Sequence, residues 1–162
     1  GKSDLSKVLK NEPAKLIKNG KHFDALFIMP QVENGDWWRV PRLHEFLNQI
    51  IAKYRIDTTR IYLTGLSMGG AGTWHYAQAY GERLAAIVPV CGAKQVTDPT
   101  KFVDLPVWAF HNDEDPTTPV ANTLNSIEII ENAGDSPQMT IYEKKSHNAW
   151  TDAYNTEEMW EC

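Results

Sequence analysis

Cysteine is scarce in this chain of 162 residues, and the two that occur, Cys91 and Cys162, have neither metal-ligand spacing nor the number needed for a disulfide framework. Long apolar runs are also missing, since none approaches the roughly eighteen residues of a membrane-spanning helix. No signal peptide is visible either. We therefore expect no membrane span and no metal, and we interpret Cys91 as a buried strand thiol.

Positive charge is in short supply as well. The chain has 16 Lys and Arg against 21 Asp and Glu, a net charge of −5, and no basic run. This balance argues against a nucleic-acid-binding surface. Internal repeats, low-complexity tracts and linker-like segments are absent from the sequence. A length of 162 residues suits one domain, so we expect residues 1–162 to form a single domain.

Apolar stretches alternate with helical patterns along the chain. The helical spacing of apolar residues predicts helices over Pro41–Tyr54 and about Val120–Ala133. Such alternation predicts an α/β fold, a mostly parallel sheet with helices on both faces. In open sheets of this kind, ligands bind beyond the carboxyl ends of the strands. The predicted buried strands are Asp24–Met29, Arg60–Thr64, Ala85–Val90, Pro106–Phe110 and Met139–Tyr142.

One strand-to-helix junction carries the sequence Gly65-Leu66-Ser67-Met68-Gly69, which fits the pattern G-x-S-x-G. The pattern indicates a nucleophile elbow when it follows a strand and opens a helix, as it does here. The sharp turn forces Ser67 into a strained conformation that exposes its hydroxyl, and glycines two positions away allow strand and helix to pack closely. We predict Ser67 as a nucleophile and the backbone N–H of Met68 as an oxyanion donor.

A serine hydroxyl needs a base, and the base needs an orienting acid. In folds with this elbow, the order along the chain is Ser, then Asp or Glu, then His. Of the five histidines, His147 alone lies in a loop after the last predicted strand, so we predict it as the base. Asp115 precedes Pro116, which holds it in a turn, and we predict it as the acid. Asp113 and Glu114 are the alternatives, and Asp113 is the second choice.

Aromatic residues lie near the predicted strand ends and could line a cleft over the serine. Trp38 follows the first predicted strand, and Trp150 lies three residues after His147. Either indole could support an aromatic acyl group or a sugar, although loop tryptophans also serve as packing residues. We predict Trp38, Trp150 and the polar Gln31 as substrate-binding residues.

The chain resembles serine esterases of the α/β-hydrolase superfamily, in particular bacterial carboxylesterases grouped with feruloyl and acetylxylan esterases and with phospholipase/carboxylesterases, some labelled predicted peptidases. The resemblance implies that Ser67, Asp115 and His147 form the triad of an acyl-enzyme mechanism that needs no cofactor. It also implies a secreted or periplasmic protein with a small or polysaccharide-linked ester as substrate. The matching stretches are RIYLTGLSMGGAGTW, LAAIVPVCG, LPVWAFHNDEDPTTPV and TIYEKKSHNAWTDAYN.

The chain departs from this family in two places. His111-Asn112 stands where the family usually has His-Gly. Members of the family also begin with further strands, and the loop after the last of these supplies the second oxyanion donor. The resemblance therefore implies a domain incomplete at its N-terminus, with an empty slot between the strands Asp24–Met29 and Arg60–Thr64. We expect such a chain by itself to be a poor esterase.

The function expected from these residues is hydrolysis of a carboxylic ester, with feruloyl or acetyl esters of plant polysaccharides as candidate substrates. A thioesterase or lysophospholipase could use the same triad and would need an apolar acyl tunnel. A peptidase could also use the same triad, and such peptidases usually carry a further domain that restricts access to the active site. An inactive hydrolase-fold module would keep the sheet without a working oxyanion hole.

Overall fold

The fold is built on a four-stranded parallel sheet, seen in a computed structural model that describes residues 4–33 and 36–161. The strands lie in the order β1-β2-β3-β4. Leu63 of β1 lies opposite Ile87 of β2, and Trp108 of β3 opposite Gln138 of β4. Four predicted strands are thus confirmed, with shifted ends. Their bounds are β1 Tyr62–Leu66, β2 Ala86–Val90, β3 Trp108–Asn112 and β4 Gln138–Tyr142.

Helices connect the strands, and both predicted helices are confirmed. The second of the helices, α2, carries Pro41 at its start, where a missing N–H costs nothing. It packs on α3, where His44 stacks on Tyr80 with ring centroids 3.9 Å apart. The bounds are α1 Ala14–Lys18, α2 Val40–Lys53, α3 Met68–Tyr80, α4 Ala121–Asn132 and α5 Trp150–Asn155. Short 3₁₀ helices cover Leu5–Lys10, Gly81–Arg83, Pro99–Phe102 and Glu157–Trp160.

Apolar side chains of the strands point alternately to the two faces of the sheet, and each face has its own core. On one face, Ile87 and Ala109 pack with residues of α3 and α4 such as Trp74. On the other face, Val90 and Phe110 pack with residues of α5 and the following 3₁₀ helix. Parallel sheets need this cover on both sides, because their strands are apolar on both faces. The predicted α/β class is therefore correct.

The predicted strand Asp24–Met29 is wrong. This segment has no strand structure, and Leu26 and Ile28 expose 60% and 37% of their surface. A strand requires a ladder partner, and this segment pairs with none of the four described strands. Asp24–Met29 therefore does not form one side of the slot predicted next to Arg60–Thr64. Phe27 instead packs near Trp160, with ring centroids 6.0 Å apart.

Strand β1, which leads into the serine, lies at one end of the strand order. It pairs with β2 on one side, and within residues 4–33 and 36–161 no strand pairs with its other side. Tyr62 is accordingly 48% exposed although it lies within a strand.

No helix within residues 4–33 and 36–161 has the length and apolar character that crossing a bilayer requires.

Candidate active site

Ser67 lies at the junction between β1 and α3 in a strained backbone conformation. Its φ is 53° and its ψ is −114°, a region that residues with a Cβ rarely adopt. The Ser67 N–H donates to the carbonyl of Val90 at 2.9 Å, and its carbonyl accepts from the Ala71 N–H at 3.0 Å. These bonds to β2 and α3 hold the turn in place. The junction therefore has the form of the elbow predicted from the sequence.

Close backbone packing around the elbow depends on glycine. A Cβ at Gly65 would lie 2.5 Å from the carbonyl carbon and oxygen of Gly69. A Cβ at Gly70 would lie 2.4 Å from the Val90 carbonyl oxygen, and one at Gly92 would lie 2.6 Å from the Gly70 carbonyl carbon. Real Cβ atoms do not tolerate such distances to backbone. The absence of side chains lets α3 begin directly against β1 and the end of β2.

His147 joins the serine to a carboxylate. Its Nε2 lies 2.8 Å from the Ser67 Oγ, and its Nδ1 lies 2.6 Å from the Asp115 Oδ2. An ionised carboxylate can only accept, so Nδ1 carries the proton and donates it to Asp115. Nε2 is then free to accept the Ser67 hydroxyl proton. This is the relative arrangement of nucleophile, base and orienting acid found in serine hydrolases.

Asp115 is held ionised by its surroundings. Burial by itself would raise the pKa of this carboxyl, but hydrogen bonds from His147 and from the Thr118 and Thr117 amides outweigh burial and lower the pKa. The two amides donate to Oδ1 at 2.8 Å from Thr117 and 3.0 Å from Thr118. This leaves Oδ2 for the imidazole. Asp115, the predicted acid, is therefore the carboxylate in contact with His147. Asp113, the second choice, instead accepts from the Lys144 amide at 2.9 Å.

Met68 is the first residue of α3, and Ser67 is its N-cap. The first N–H groups of a helix have no partner within the helix and point along its axis. The Met68 N–H therefore remains available beside the Ser67 hydroxyl, at the positive end of the helix dipole. This position is compatible with the oxyanion role predicted for it.

The predicted substrate-binding residues lie at different distances from this centre. Trp150 opens α5, and its ring meets the His147 ring edge-on at 5.5 Å between centroids. Trp38 packs on α3, where a Cβ at Gly72 would meet its indole at 2.6 Å. Gln31 donates through Nε2 to the Asp4 carbonyl at 3.3 Å. Trp150 thus touches the base, whereas the contacts of Trp38 and Gln31 are with other parts of the chain.

Cys91 also lies beside the triad, which the sequence reading did not anticipate. It directly follows β2 with a φ of 42°, so the rule that chemistry follows strand ends could have identified it. Three possible metal-ligand atoms lie within 4.8 Å of one another, one each from Cys91, Asp115 and His147. Such a group could hold a metal ion. However, burial raises the pKa of the Cys91 thiol to about 12, and the other two groups bind each other. The absence of a metal remains a prediction.

Several esterases are similar to this chain in sequence or in fold. An esterase of known structure, described as thermostable, is 32% identical with a TM-score of 0.71, over 75% of this chain and 35% of that one. A ferulic acid esterase structure shares the fold, with a TM-score of 0.59 and 19% identity over 70% of this chain and 55% of its own. The bifunctional acetylxylan esterase/xylanase XynS20E of Neocallimastix patriciarum is 37% identical over 67 residues, 41% of this chain and 10% of that protein.

The chain therefore spans about a third of the thermostable esterase and a tenth of the curated relative. The profile of the phospholipase/carboxylesterase family matches residues 23–156, which is most of the 162-residue chain and includes Ser67, Asp115 and His147. With this match and the parallel α/β sheet, the chain belongs to the phospholipase/carboxylesterase family of the α/β-hydrolase fold.

Proposed function

We propose that this protein hydrolyses carboxylic esters through an acyl-enzyme formed on Ser67. The observation that carries the proposal is the continuous hydrogen-bonded series from Ser67 Oγ through His147 to Asp115, at 2.8 and 2.6 Å. The strained elbow and membership of the phospholipase/carboxylesterase family support it. None of these groups needs a cofactor to act on an ester.

The geometry suggests how each group would act. His147 Nε2 takes the Ser67 proton as Oγ attacks the ester carbonyl, and Asp115 stabilises the resulting imidazolium. The oxyanion that forms on the carbonyl oxygen meets the Met68 N–H. The imidazolium then returns its proton to the alkoxide leaving group, and the acyl group remains on Ser67. A water molecule repeats the sequence, which releases the acid and restores the serine.

For the substrate, we propose acetyl or feruloyl esters of plant polysaccharides. Trp150 beside His147 supports this, because an indole face can receive either a sugar or an aromatic acyl group. The acetylxylan esterase named above is the relative whose activity points the same way. A panel of p-nitrophenyl acetate, methyl ferulate, acetylated xylan, a long-chain acyl thioester and a lysophospholipid tests this choice. Preferred turnover of either of the last two would contradict it.

The catalytic proposal is tested by hydrolysis of p-nitrophenyl acetate and by labelling with a fluorophosphonate, followed by intact-mass measurement. We expect one adduct per chain, located on Ser67. Ser67→Ala should abolish labelling and lower kcat on the order of 10⁴- to 10⁶-fold, because triad members act as a unit. His147→Ala should cost a similar factor, and Asp115→Asn somewhat less.

Ser126→Ala provides a matched control, since it removes a buried serine hydroxyl of α4 outside the triad. Labelling and turnover should persist in this variant. Labelling that survives Ser67→Ala, or a wild-type chain that neither labels nor hydrolyses any ester in the panel, would refute the proposed function.

A further inference from the structure

The last two residues of β3, His111 and Asn112, contact the loops that carry the acid and the base of the candidate site. Successive side chains of a strand point to opposite faces of the sheet. His111 follows Ala109 onto the face covered by α3 and α4, and Asn112 follows Phe110 onto the face covered by α5. Both side chains are fully buried. Buried polar groups need partners, and His111 Nε2 and Asn112 Nδ2 each contact a backbone carbonyl in a loop that carries a triad residue.

His111 holds the turn that contains Asp115. Its Nε2 lies 2.9 Å from the Thr118 carbonyl oxygen and 3.3 Å from the Asp115 Oδ2, and its Nδ1 lies 2.8 Å from the Thr123 Oγ1. Burial lowers the pKa of His111, so the ring is neutral near pH 7. A carbonyl only accepts, so Nε2 carries the proton and directs it at the turn. The Thr118 amide also donates to Asp115, which closes the turn around the acid.

Asn112 holds the loop that contains His147. Its Nδ2 donates to the Ser146 carbonyl at 2.7 Å, one residue before the base. The Asn112 side chain is fully buried, and this bond fixes its amide against the loop. This residue is also where the chain departs from the His-Gly pair usual in the family it resembles.

We propose that His111 and Asn112 are positioning residues, which together set the distance between the Asp115 carboxylate and the His147 imidazole. The inference rests on the proposed function, because it concerns the same triad. One strand end supplies both anchors, so the acid and the base share a rigid reference although they follow different strands. A displacement of about 1 Å at such a site can cost roughly 10²-fold in rate, so two buried bonds can control catalysis without touching substrate.

The kinetic test uses Asn112→Ala and His111→Phe, each in the wild-type chain and in an Asp115→Ala background. In the wild-type chain, each variant should lower kcat about tenfold with little change in KM, a smaller loss than a full 1 Å displacement gives. In the Asp115→Ala background the extra loss should disappear, because the contact that these residues adjust is no longer there. His111→Gln keeps a donor and should recover most of kcat.

Matched controls separate positioning from stability. His44→Phe removes a histidine bonded to the Tyr76 hydroxyl at 3.1 Å, and Ser126→Ala removes a buried tether to the Val96 amide at 3.0 Å. Both controls should lower the melting temperature and leave kcat unchanged. Losses of kcat of equal size with and without Asp115 would show that the two β3 residues are merely structural, and would overturn the proposal.

A spectroscopic readout does not require activity. The proton between His147 Nδ1 and Asp115 should give a low-field ¹H NMR resonance, which should weaken or shift upfield in Asn112→Ala and in His111→Phe. It should be unchanged in His44→Phe. A chain without esterase activity that still shows these changes would refute the proposed function and support the positioning roles. If the resonance is unchanged in both Asn112→Ala and His111→Phe, and both variants fold, the positioning roles are refuted while the proposed function stands. If His111→Phe does not fold, the resonance in Asn112→Ala and in His111→Gln tests the positioning roles instead.

Discussion

Gly65 and Gly69 occupy equivalent places in the G-x-S-x-G pattern but meet different surroundings. A Cβ at Gly65 would collide with the Gly69 backbone at 2.5 Å, whereas a Cβ at Gly69 would have no heavy atom within 4 Å outside its own helix backbone and chain neighbours. The first glycine is therefore required by packing. At the second position, packing leaves room for a Cβ, so glycine is not required there by contacts of its own.

This difference predicts opposite outcomes for two alanine substitutions. Gly65→Ala should lower the free energy of unfolding by about 1–3 kcal/mol, because the strand and helix must separate to admit the methyl group. Gly69→Ala lies within the first turn of α3 and should leave stability unchanged or slightly increased, since alanine is the better helix former. Urea denaturation of the two variants measures this. Equal destabilisation would contradict the packing argument.

At the scale of the element, β1 is both the strand that presents the serine and an edge of the described sheet. The Ile61 carbonyl accepts from Ala85, and the Ser67 N–H donates to Val90, so odd-numbered residues of this strand face β2. In a parallel ladder, the N–H and C=O of one residue point to the same side. The backbone groups of Tyr62, Thr64 and Leu66 therefore point away from β2.

Hydrogen exchange should reveal this alternation. The amides of Tyr62, Thr64 and Leu66 should exchange faster than those of Leu63 and Gly65, because exposed edge amides need no opening of the sheet. The amides of β3, which has neighbours on both sides, should be the most protected and serve as the internal reference. Equal protection of odd and even positions in β1, measured by NMR, would contradict the edge position inferred here.

For the whole molecule, the candidate site links catalytic geometry to stability. Three connecting segments, after β1, β3 and β4, meet through the contacts of Asp115 and His147, and the ionised carboxylate makes those contacts. The pKa of Asp115 is lowered in the folded protein, so its contribution to stability is present above the unfolded value, near 4, and is lost as pH falls through the folded value.

Comparison with Asp115→Asn isolates this contribution from those of other carboxyl groups. The wild-type chain should exceed the variant in free energy of unfolding at neutral pH, and the difference should shrink as pH falls below about 4. Asparagine is the matched replacement, because its Oδ1 can still accept from the amides of Thr117 and Thr118. Urea unfolding curves between pH 7 and pH 3 provide the measurement. A difference that stays constant over this range would contradict the assigned ionisation.

Features that depend on local pattern and chain order could be predicted before the fold was known. The elbow at Ser67 could be predicted because glycine spacing, a preceding apolar strand and a following helix all act within a few residues. Asp115 and His147 could be predicted as its neighbours because parallel strands present their carboxyl ends at one edge. Helix α2 could be located because its apolar spacing has the helical period.

Features that depend on partners distant in sequence could be recognised only in the folded chain. Asp24–Met29 has the composition of a strand but forms none, because pairing requires a neighbour and composition does not provide one. Cys91 meets the triad, and Trp38 lies on Gly72, through packing that no local pattern encodes. The same holds for His111 and Asn112, whose carbonyl partners at Thr118 and Ser146 follow from how two loops fold over one strand end.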